Sequence, residues 1–199
     1  MIKAIIFDFG GVMEPNYDPK IHAALAKHLK VSLPAFRAAN TSVYSQFEKG
    51  KISEYEYWKR VLKKLKVNDP KRLTGLWTKA YGNPKGWASS YSLVKTLKRN
   101  YQVALLSNVT RPIAVLNSRN KRYALFHQKI LSCYVHARKP EQRIYAYGLR
   151  KLRCLARESI FIDNLAINVR GARKAGIDSI QFRSLFQLKK ELKKRHVSV

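Results

Sequence analysis

Residues 5–15, IIFDFGGVMEP, place the carboxylate of Asp8 between an apolar run and a pair of glycines. A carboxylate in this setting can do three kinds of work. It can bind magnesium, as the aspartate of a kinase D-F-G motif does, or it can attack a phosphoryl group as a nucleophile. It can also simply end a strand in a turn. The choice depends on which side chains the rest of the chain brings to Asp8.

Other polar side chains also come directly after apolar runs. Ser107 and Asn108 follow QVALL, Lys139 comes a few residues after KILSCYV, and Asp163 follows SIFI. Ligands of open α/β sheets bind outside the carboxyl ends of the strands, so these residues are predicted to meet Asp8 there. A carboxylate nucleophile repels phosphate, and such a site therefore needs cations. Two aspartates can hold Mg²⁺, and Lys139 would add a second positive charge.

The elements that must position these residues are visible in the hydrophobic pattern. Five short apolar runs predict strands buried on both faces of a parallel sheet: residues 3–7, 102–106, 129–135, 159–162 and 178–182. Helical patterns separate them at 89–100, 110–126, 141–152 and 166–176, and a basic amphipathic helix is predicted at 185–196. Thr110 and Pro112 are typical of a helix start, and Gly176 of a helix stop. This alternation indicates a doubly wound α/β domain.

Residues 16–85 break the alternation. Their apolar residues recur at helical spacing in four segments, 19–30, 33–50, 53–66 and 70–81. An insertion just after the first strand would lie over the carboxyl end of that strand and could act as a lid. We therefore expect a core formed by residues 1–15 and 86–199, and a helical cap formed by residues 16–85.

The charge of the chain is strongly positive, with 40 Lys and Arg against 12 Asp and Glu, a formal net charge of +28. A field of this sign attracts phosphate-bearing partners, including nucleic acid. The charge is spread along the chain rather than gathered in a basic arm, so nucleic acid is a possible partner but not the favoured one.

No apolar run reaches the ~18 residues that a membrane-spanning helix needs. Asp8 also interrupts the N-terminal apolar run too early for a secretory leader. Cys133 and Cys154 have no metal-binding or redox spacing and are expected to be reduced thiols. We therefore expect a cytoplasmic protein without a membrane partner.

The segments FDFGGV, LLSN, ARKPEQRIY and IFIDNLAINVRGARKAGI resemble, in order, the four motifs of the haloacid dehalogenase-like (HAD) hydrolase superfamily. The segment FEKGKISEYEYWKRVLKKL is similar to the helical cap of the branch that includes sugar-1-phosphate phosphatases and the N-terminal phosphatase domain of epoxide hydrolases. The resemblance implies a Rossmann-like three-layer sandwich with a parallel sheet and a small helical cap. It also implies Mg²⁺ and the hydrolysis of phosphate monoesters through an aspartyl-phosphate.

The resemblance assigns roles by position. Asp8 would be the nucleophile and a metal ligand, the backbone carbonyl of Gly10 and the carboxylate of Asp163 would be further metal ligands, Ser107, Asn108 and Lys139 would hold the phosphate, and Lys139 would also assist catalysis. The kinase interpretation of Asp8 fails, because a kinase needs a Gly-rich loop and a catalytic loop upstream of D-F-G. Only residues 1–7 precede Asp8.

Two positions depart from the family pattern. Most phosphatases of the family have a second aspartate two residues after the nucleophile as general acid and base, and this chain has Gly10 there. Asn164 stands where the family often has aspartate, which could weaken Mg²⁺ binding. Glu14 or His136 could relay a proton instead, although a surface carboxylate and a solvated histidine are the simpler interpretations.

The aromatic residues of the insertion could line the mouth of the site, although residues at such helical spacing also suit a core: Tyr44, Phe47, Tyr55, Tyr57 and Trp58. The favoured function is a Mg²⁺-dependent phosphatase that hydrolyses a small phosphorylated metabolite. A sugar phosphate with an anomeric leaving oxygen would need the missing acid least. Two alternatives stay open: a weakly active or inactive homologue that binds nucleic acid, and a dehalogenase, which Asp163 as a metal ligand disfavours.

Overall fold

The structure is a computed structural model that describes residues 1–67, 73–82 and 85–199. Five strands form one parallel sheet: β1 (Ala4–Phe7), β2 (Gln102–Ser107), β3 (Gln128–Leu131), β4 (Ser159–Asp163) and β5 (Asp178–Gln181). Their order across the sheet is β3-β2-β1-β4-β5, so β1 lies in the centre and pairs with β2 and β4. The predicted parallel sheet is confirmed.

Ten helices are described along the same residues. Four of them follow β1 in the inserted segment: α1 (Asp18–His28), α2 (Leu33–Glu48), α3 (Glu54–Leu65) and α4 (Leu76–Tyr81). The others are α5 (Ala88–Leu97), α6 (Arg111–Arg119), α7 (Ser132–Val135), α8 (Gln142–Leu152), α9 (Ala166–Lys174) and α10 (Leu185–Lys194). None of them combines the length and the apolarity needed to cross a bilayer.

The sheet is covered on both faces, which makes three layers. Ile5 and Phe7 of β1 belong to a cluster with apolar residues of α5, α6 and α10. Ala4 and Ile6 point the other way, into a cluster with residues of α8 and α9. Alternate residues of a strand face opposite sides, so a strand that is buried on both sides must be apolar throughout. This is why β1 has no polar residue before Asp8.

One predicted strand is partly wrong. The apolar run at 129–135 was expected to be strand throughout, but β3 ends at Leu131 and Ser132–Val135 form a single helical turn. The hydroxyl of Ser132 accepts the Val109 N–H at 2.8 Å and donates to the Glu48 carbonyl at 2.7 Å, which holds this turn against two other segments. Cys133 and Val135 are buried there, so burial, and not strand pairing, accounts for their apolarity.

The structure also shows the predicted start of α6 and the predicted end of α9 in detail. Thr110 takes the N-cap position of α6, but its hydroxyl makes no capping bond, and α6 ends at Arg119 rather than near residue 126. Gly176 follows α9 with a φ of +78°, a conformation that glycine adopts without steric cost, so the predicted helix stop is confirmed.

The helices α1–α4 pack around a hydrophobic cluster of their own. Phe47, Tyr57 and Trp58 are buried in it, and the Phe47 and Tyr57 rings stack with centroids 4.6 Å apart. Tyr55 is exposed, and Tyr44 is partly buried. The helices predicted at 19–30, 33–50 and 53–66 are confirmed within a few residues. Of the segment predicted at 70–81, residues 70–72 lie outside the described part of the chain, and α4 covers its end.

A glycine lets α9 approach the segment that carries Lys139. A Cβ atom added to Gly171 would lie 2.7 Å from Pro140 Cβ and 2.9 Å from the Tyr145 hydroxyl. Gly148, in the middle of α8, offers a matched comparison. A Cβ atom there would meet only Leu106 and Ile130 side-chain atoms, at 3.6 and 3.8 Å.

We expect Gly171→Ala to lower the free energy of unfolding by about 1–2 kcal/mol, because overpacking outweighs the gain in helix propensity. Gly148→Ala should be neutral or should stabilise by up to about 1 kcal/mol, since its methyl group fits and alanine favours the helix. Urea unfolding of both variants measures the difference. Equal stability of the two would show that the approach of α9 to Pro140 is not tight.

Candidate active site

The polar groups at the carboxyl ends of the strands meet around one ammonium group. Asp8 directly follows β1, and Asp163 ends β4, its neighbour in the sheet. Lys139 Nζ lies 2.6 Å from Asp8 Oδ1 and 2.7 Å from Asp163 Oδ2. Lys139 is 1% exposed, so this ammonium group is buried between the two carboxylates.

Asn108 positions the backbone of Lys139. Its side-chain carbonyl accepts the Lys139 N–H at 2.8 Å, and its amide nitrogen donates to the Lys139 carbonyl at 3.0 Å. Both functional atoms of the amide are therefore engaged by one residue of a distant loop. This adds a positioning role to the phosphate-binding role predicted for Asn108, and the sequence spacing of the two residues contains no signal for it.

Asp163 is held by three donors. Its Oδ1 accepts the Leu165 N–H at 2.8 Å, and its Oδ2 accepts from Lys139 and, at 3.0 Å, from the side-chain amide of Asn168. Asn168 lies in the first turn of α9, from which its side chain reaches back to the end of β4. It was not identified from the sequence, although its place inside the last of the four motifs could have drawn attention to it.

The pKa of Asp8 is raised to about 7, and burial is the largest cause. The positive charge of Lys139 lowers this pKa, and the negative charge of Asp163 raises it. Burial alone would lower the pKa of Lys139, but Asp163 and Asp8 outweigh this effect, and the pKa lies above its ordinary value. The ammonium therefore stays charged and balances one of two carboxylates. A further cation in the site would favour ionisation of Asp8.

The donor set fits Mg²⁺. The described residues contain no cluster of three or more His, Cys, Asp or Glu side chains that could hold a metal by themselves. Asp8 and Asp163 supply two carboxylates, and the Gly10 carbonyl accepts no hydrogen bond from any described residue. Magnesium prefers oxygen ligands and usually keeps waters and a substrate oxygen, so two carboxylates and one backbone carbonyl suit it. Protein zinc sites usually include nitrogen or sulfur ligands, and the residues described here around Asp8 and Asp163 supply oxygen instead.

A cavity of about 190 Å³ opens from this cluster. Ser107 lines it at the end of β2, and no described residue forms a hydrogen bond with its hydroxyl. Thr110 and Asn164 also line it, and within the described residues their Oγ1 and Oδ1 atoms are buried without hydrogen-bond partners. Buried polar atoms are normally paired, so these two atoms are exceptions close to the cavity. The sequence predicted Thr110 as a helix cap.

Part of the lining of the cavity, here called its aromatic wall, comes from the inserted helices and the residue before them: Tyr17, Tyr44, Trp77 and Tyr81. Only Tyr44 was among the aromatic residues singled out in the sequence. Tyr17 and Tyr81 pack edge to face with ring centroids 6.0 Å apart, and Tyr44 stacks on Trp77 at 5.3 Å. The residues of this wall are separated widely in sequence, and only the packing of α1, α2 and α4 brings them together.

Glu14 is not the surface carboxylate that the sequence suggested. It is 3% exposed, forms an ion pair with Arg122 and accepts the Tyr81 hydroxyl at 2.8 Å. Burial raises its pKa, and Tyr81 and Arg122 oppose this effect. Both of its oxygens are engaged, so Glu14 ties α4 to the core rather than offering a free proton. His136 is exposed as expected, with Nδ1 3.0 Å from the Lys49 carbonyl oxygen.

A second group of contacts attaches the inserted helices to the core at the C-terminal end of α2. Arg138 Nε lies 2.8 Å from Glu48 Oε2, and Lys49 Nζ lies 3.0 Å from Glu141 Oε1. Burial raises the pKa of Glu48 to about 7, with Arg138 acting against it. The inserted helices are thus attached to the core both through Tyr81 and through the segment that carries Lys139.

The two glycines after Asp8 differ in the space around them. Gly11 has a φ of +81°, and a Cβ atom there would lie 2.4 Å from the Asn164 amide nitrogen, so only glycine fits. A Cβ atom at Gly10 would meet no heavy atom within 4 Å. The position of the missing general acid is therefore open space beside Asp8.

Curated proteins with related sequences include two fungal proteins and a bacterial one. A drimenol cyclase of Aspergillus calidoustus is 22% identical over 96% of this chain, which spans only 36% of that protein. A sesquiterpene phosphatase of Aspergillus oryzae is 25% identical, with 88% of this chain and 87% of the relative covered. A D-ribitol-5-phosphate phosphatase of Bacteroides thetaiotaomicron is 25% identical, with 91% and 92% covered.

Among solved structures, the magnesium complex of a HAD-family enzyme from Bacteroides thetaiotaomicron superposes with a TM-score of 0.75. It is 21% identical, and the match covers 94% of this chain and 98% of that one. This likeness confirms the predicted Rossmann-like HAD fold. A family model for haloacid dehalogenase-like hydrolases matches residues 2–176. The chain therefore belongs to the haloacid dehalogenase-like hydrolase family.

Proposed function

We propose that the protein is a Mg²⁺-dependent phosphatase that hydrolyses a small phosphate monoester through Asp8. The observation that carries this proposal is the buried ammonium of Lys139 within 2.7 Å of both Asp8 and Asp163. A nucleophilic carboxylate must be relieved of its repulsion from a phosphate, and this arrangement supplies one positive charge and two oxygen ligands for another.

The proposed reaction has two steps. In the first, a carboxylate oxygen of Asp8 forms a bond to phosphorus while the ester P–O bond breaks, and the leaving oxygen takes a proton from solvent water and departs as an alcohol. In the second, a water oxygen bonds to phosphorus while the bond from phosphorus to the Asp8 oxygen breaks. Inorganic phosphate leaves, the water proton passes to solvent, and the Asp8 carboxylate is restored. Magnesium held by Asp8, Asp163 and the Gly10 carbonyl would neutralise charge on the phosphate.

The remaining residues of the site would bind and orient the phosphate. The Ser107 hydroxyl has no partner among the described residues and can donate to a phosphate oxygen. Lys139 would share its charge between Asp8 and the phosphate, and Asn108 would hold its backbone in place. We propose the two parts that the sequence predicts: residues 1–15 and 86–199 form the catalytic core, and residues 16–85 form a cap that excludes water from the reaction.

The cavity favours a small substrate. Ligand pockets usually measure ~300–1,000 Å³, and this one measures about 190 Å³. Relatives at similar identity are named for a polyol phosphate and for sesquiterpenes. A short polyol or sugar phosphate fits this volume better than a prenyl chain, which agrees with the sugar phosphate suggested by the sequence.

Nucleic acid remains a separate prediction of the +28 charge. No cluster in the described site favours it, so it is not part of the proposal. A cytoplasmic location also stays a prediction.

Asp8→Asn should abolish the release of phosphate from p-nitrophenyl phosphate, by at least about 10³-fold, because an amide is not a nucleophile. Chelation of Mg²⁺ should have a similar effect on the unaltered protein. Asp178→Asn makes the same change at the exposed start of β5 and should keep the activity. Turnover that persists in Asp8→Asn and without metal would falsify the proposal.

Gly10→Asp should introduce the general acid that this chain lacks, because the position has room for a side chain. General acid catalysis contributes ~10²–10⁴-fold, so we expect at least a tenfold gain in kcat on an alkyl phosphate. The gain on p-nitrophenyl phosphate should be small, since its leaving group needs no proton.

Gly10→Asn is the matched control for this variant. It adds a side chain of the same size without an acid, so the rate on the alkyl phosphate should not increase. An equal gain for both variants, or no gain for either, would contradict a role for protonation at this position.

A further inference from the structure

Carboxylates are scarce in this protein, and nearly all of those in the described residues have a cationic partner. They lie within salt-bridge distance of Lys or Arg at Asp8, Glu14, Glu48, Glu56, Glu141, Glu158, Asp163, Asp178 and Glu191. Glu54 instead accepts hydrogen bonds from the Trp58 ring N–H and the Gly75 N–H. Within the part of the chain that the structure describes, the Asp18 side chain has neither kind of partner.

Asp18 faces the cavity of the candidate active site. It is the first residue of α1, and it lines the cavity together with Tyr17 and Glu48. Asp18 is exposed to solvent at this opening, and the protein around it still raises the pKa of its carboxyl, an effect that His22 and Arg138 oppose. Arg138 is already paired with Glu48, so its charge is shared. The cavity therefore carries a carboxylate that forms no salt bridge with any described cation.

A carboxylate in the first turn of a helix also interacts favourably with the helix dipole, and this would be the simplest reason for an aspartate here. That role, however, does not require the side chain to face a cavity. It also makes no difference to which substrate the cavity accepts, so the two roles can be separated by experiment.

An ionised carboxylate accepts hydrogen bonds and donates none. An apolar leaving group bound beside Asp18 would remove water from it without replacing the hydrogen bonds, which is costly. A leaving group with a hydroxyl or an ammonium group would satisfy it. The ring of Tyr44, which is partly exposed, could meanwhile contact the carbon skeleton or a positive charge.

We propose that Asp18 is a specificity-determining residue that selects phosphate monoesters whose leaving alcohol carries a second hydrogen-bond donor, either a hydroxyl or an ammonium group. This inference rests on the proposed phosphatase function and names the substrate class of the same site. It separates polyol and amino-alcohol phosphates from prenyl and simple alkyl phosphates.

The test compares kcat/KM on four substrates. The reference is n-butyl phosphate, whose leaving alcohol is short and carries no second hydrogen-bond donor. Ribitol 5-phosphate supplies hydroxyls, phosphoethanolamine supplies an ammonium group, and farnesyl phosphate supplies a long apolar chain. The unaltered protein should prefer at least one donor-bearing substrate to n-butyl phosphate by about tenfold or more. In Asp18→Ala this preference should fall at least tenfold, mainly through KM.

Asp18→Asn distinguishes the two donors. Its amide oxygen still accepts a hydrogen bond but carries no charge, so it should keep most of a preference for hydroxyls and lose a preference for ammonium. It also keeps the size of the side chain, which guards against misfolding of the alanine variant. Asp178→Asn is the control for the change in net charge. Asp178, the exposed first residue of β5, pairs with Arg195 and does not line the cavity, so this variant should leave the preference unaltered.

Two results would overturn the inference alone: a preference of the unaltered protein for n-butyl or farnesyl phosphate, or an unchanged preference in both Asp18 variants. In either case turnover itself shows that the phosphatase proposal holds. If no phosphate is released from any of these esters or from p-nitrophenyl phosphate, the proposed function fails and this inference fails with it.

Discussion

The buried ammonium of Lys139 between two carboxylates is the interaction on which the rest of the site depends. Two carboxylates at the ends of adjacent strands repel each other, and burial raises the free energy of both charges. One cation reduces that cost without removing it. The surrounding contacts serve to keep this cation in place: Asn108 holds the Lys139 backbone, and Gly171 lets α9 pack directly against Pro140.

The inserted helices and the core enclose the cavity from two sides. Tyr81 reaches Glu14 and Arg122 on one side, while Glu48 and Lys49 pair with Arg138 and Glu141 on the other. Arg138 and Glu141 belong to the same short segment as Lys139. The contacts that attach the inserted helices to the core are therefore made by the same segment that carries Lys139.

The charge of the whole molecule and the charge inside the cavity have opposite consequences. A net charge of +28 attracts phosphate esters from a distance, whatever their leaving group. Inside the cavity, Asp18 and Glu48 place carboxylates beside the aromatic wall. Long-range attraction thus favours anions in general, while local hydrogen bonding can discriminate among them, because a desolvated acceptor needs a donor at short range.

Much of the fold could be predicted from local pattern alone. Strands buried on both faces must be apolar, helices between them show their own period, and parallel strands bring their carboxyl ends to one edge. Asp8, Ser107, Lys139 and Asp163 could for this reason be placed together. Residues 132–135 show the limit of such patterns, because a buried turn needs the same apolar residues as a strand.

Contacts between segments far apart in the chain were decided only by the tertiary structure. Buried Glu14 is paired with Arg122 and Tyr81. The two hydrogen bonds of the Asn108 side chain go to the backbone of Lys139, more than 30 positions away. The aromatic wall combines Tyr17 with Trp77 and Tyr81. None of these has a local signature, since a carboxylate, an amide or an aromatic ring is equally compatible with surface, core or site. Position along a strand or helix can be read from the periodicity of neighbouring residues, whereas the partner of a side chain depends on how whole elements pack.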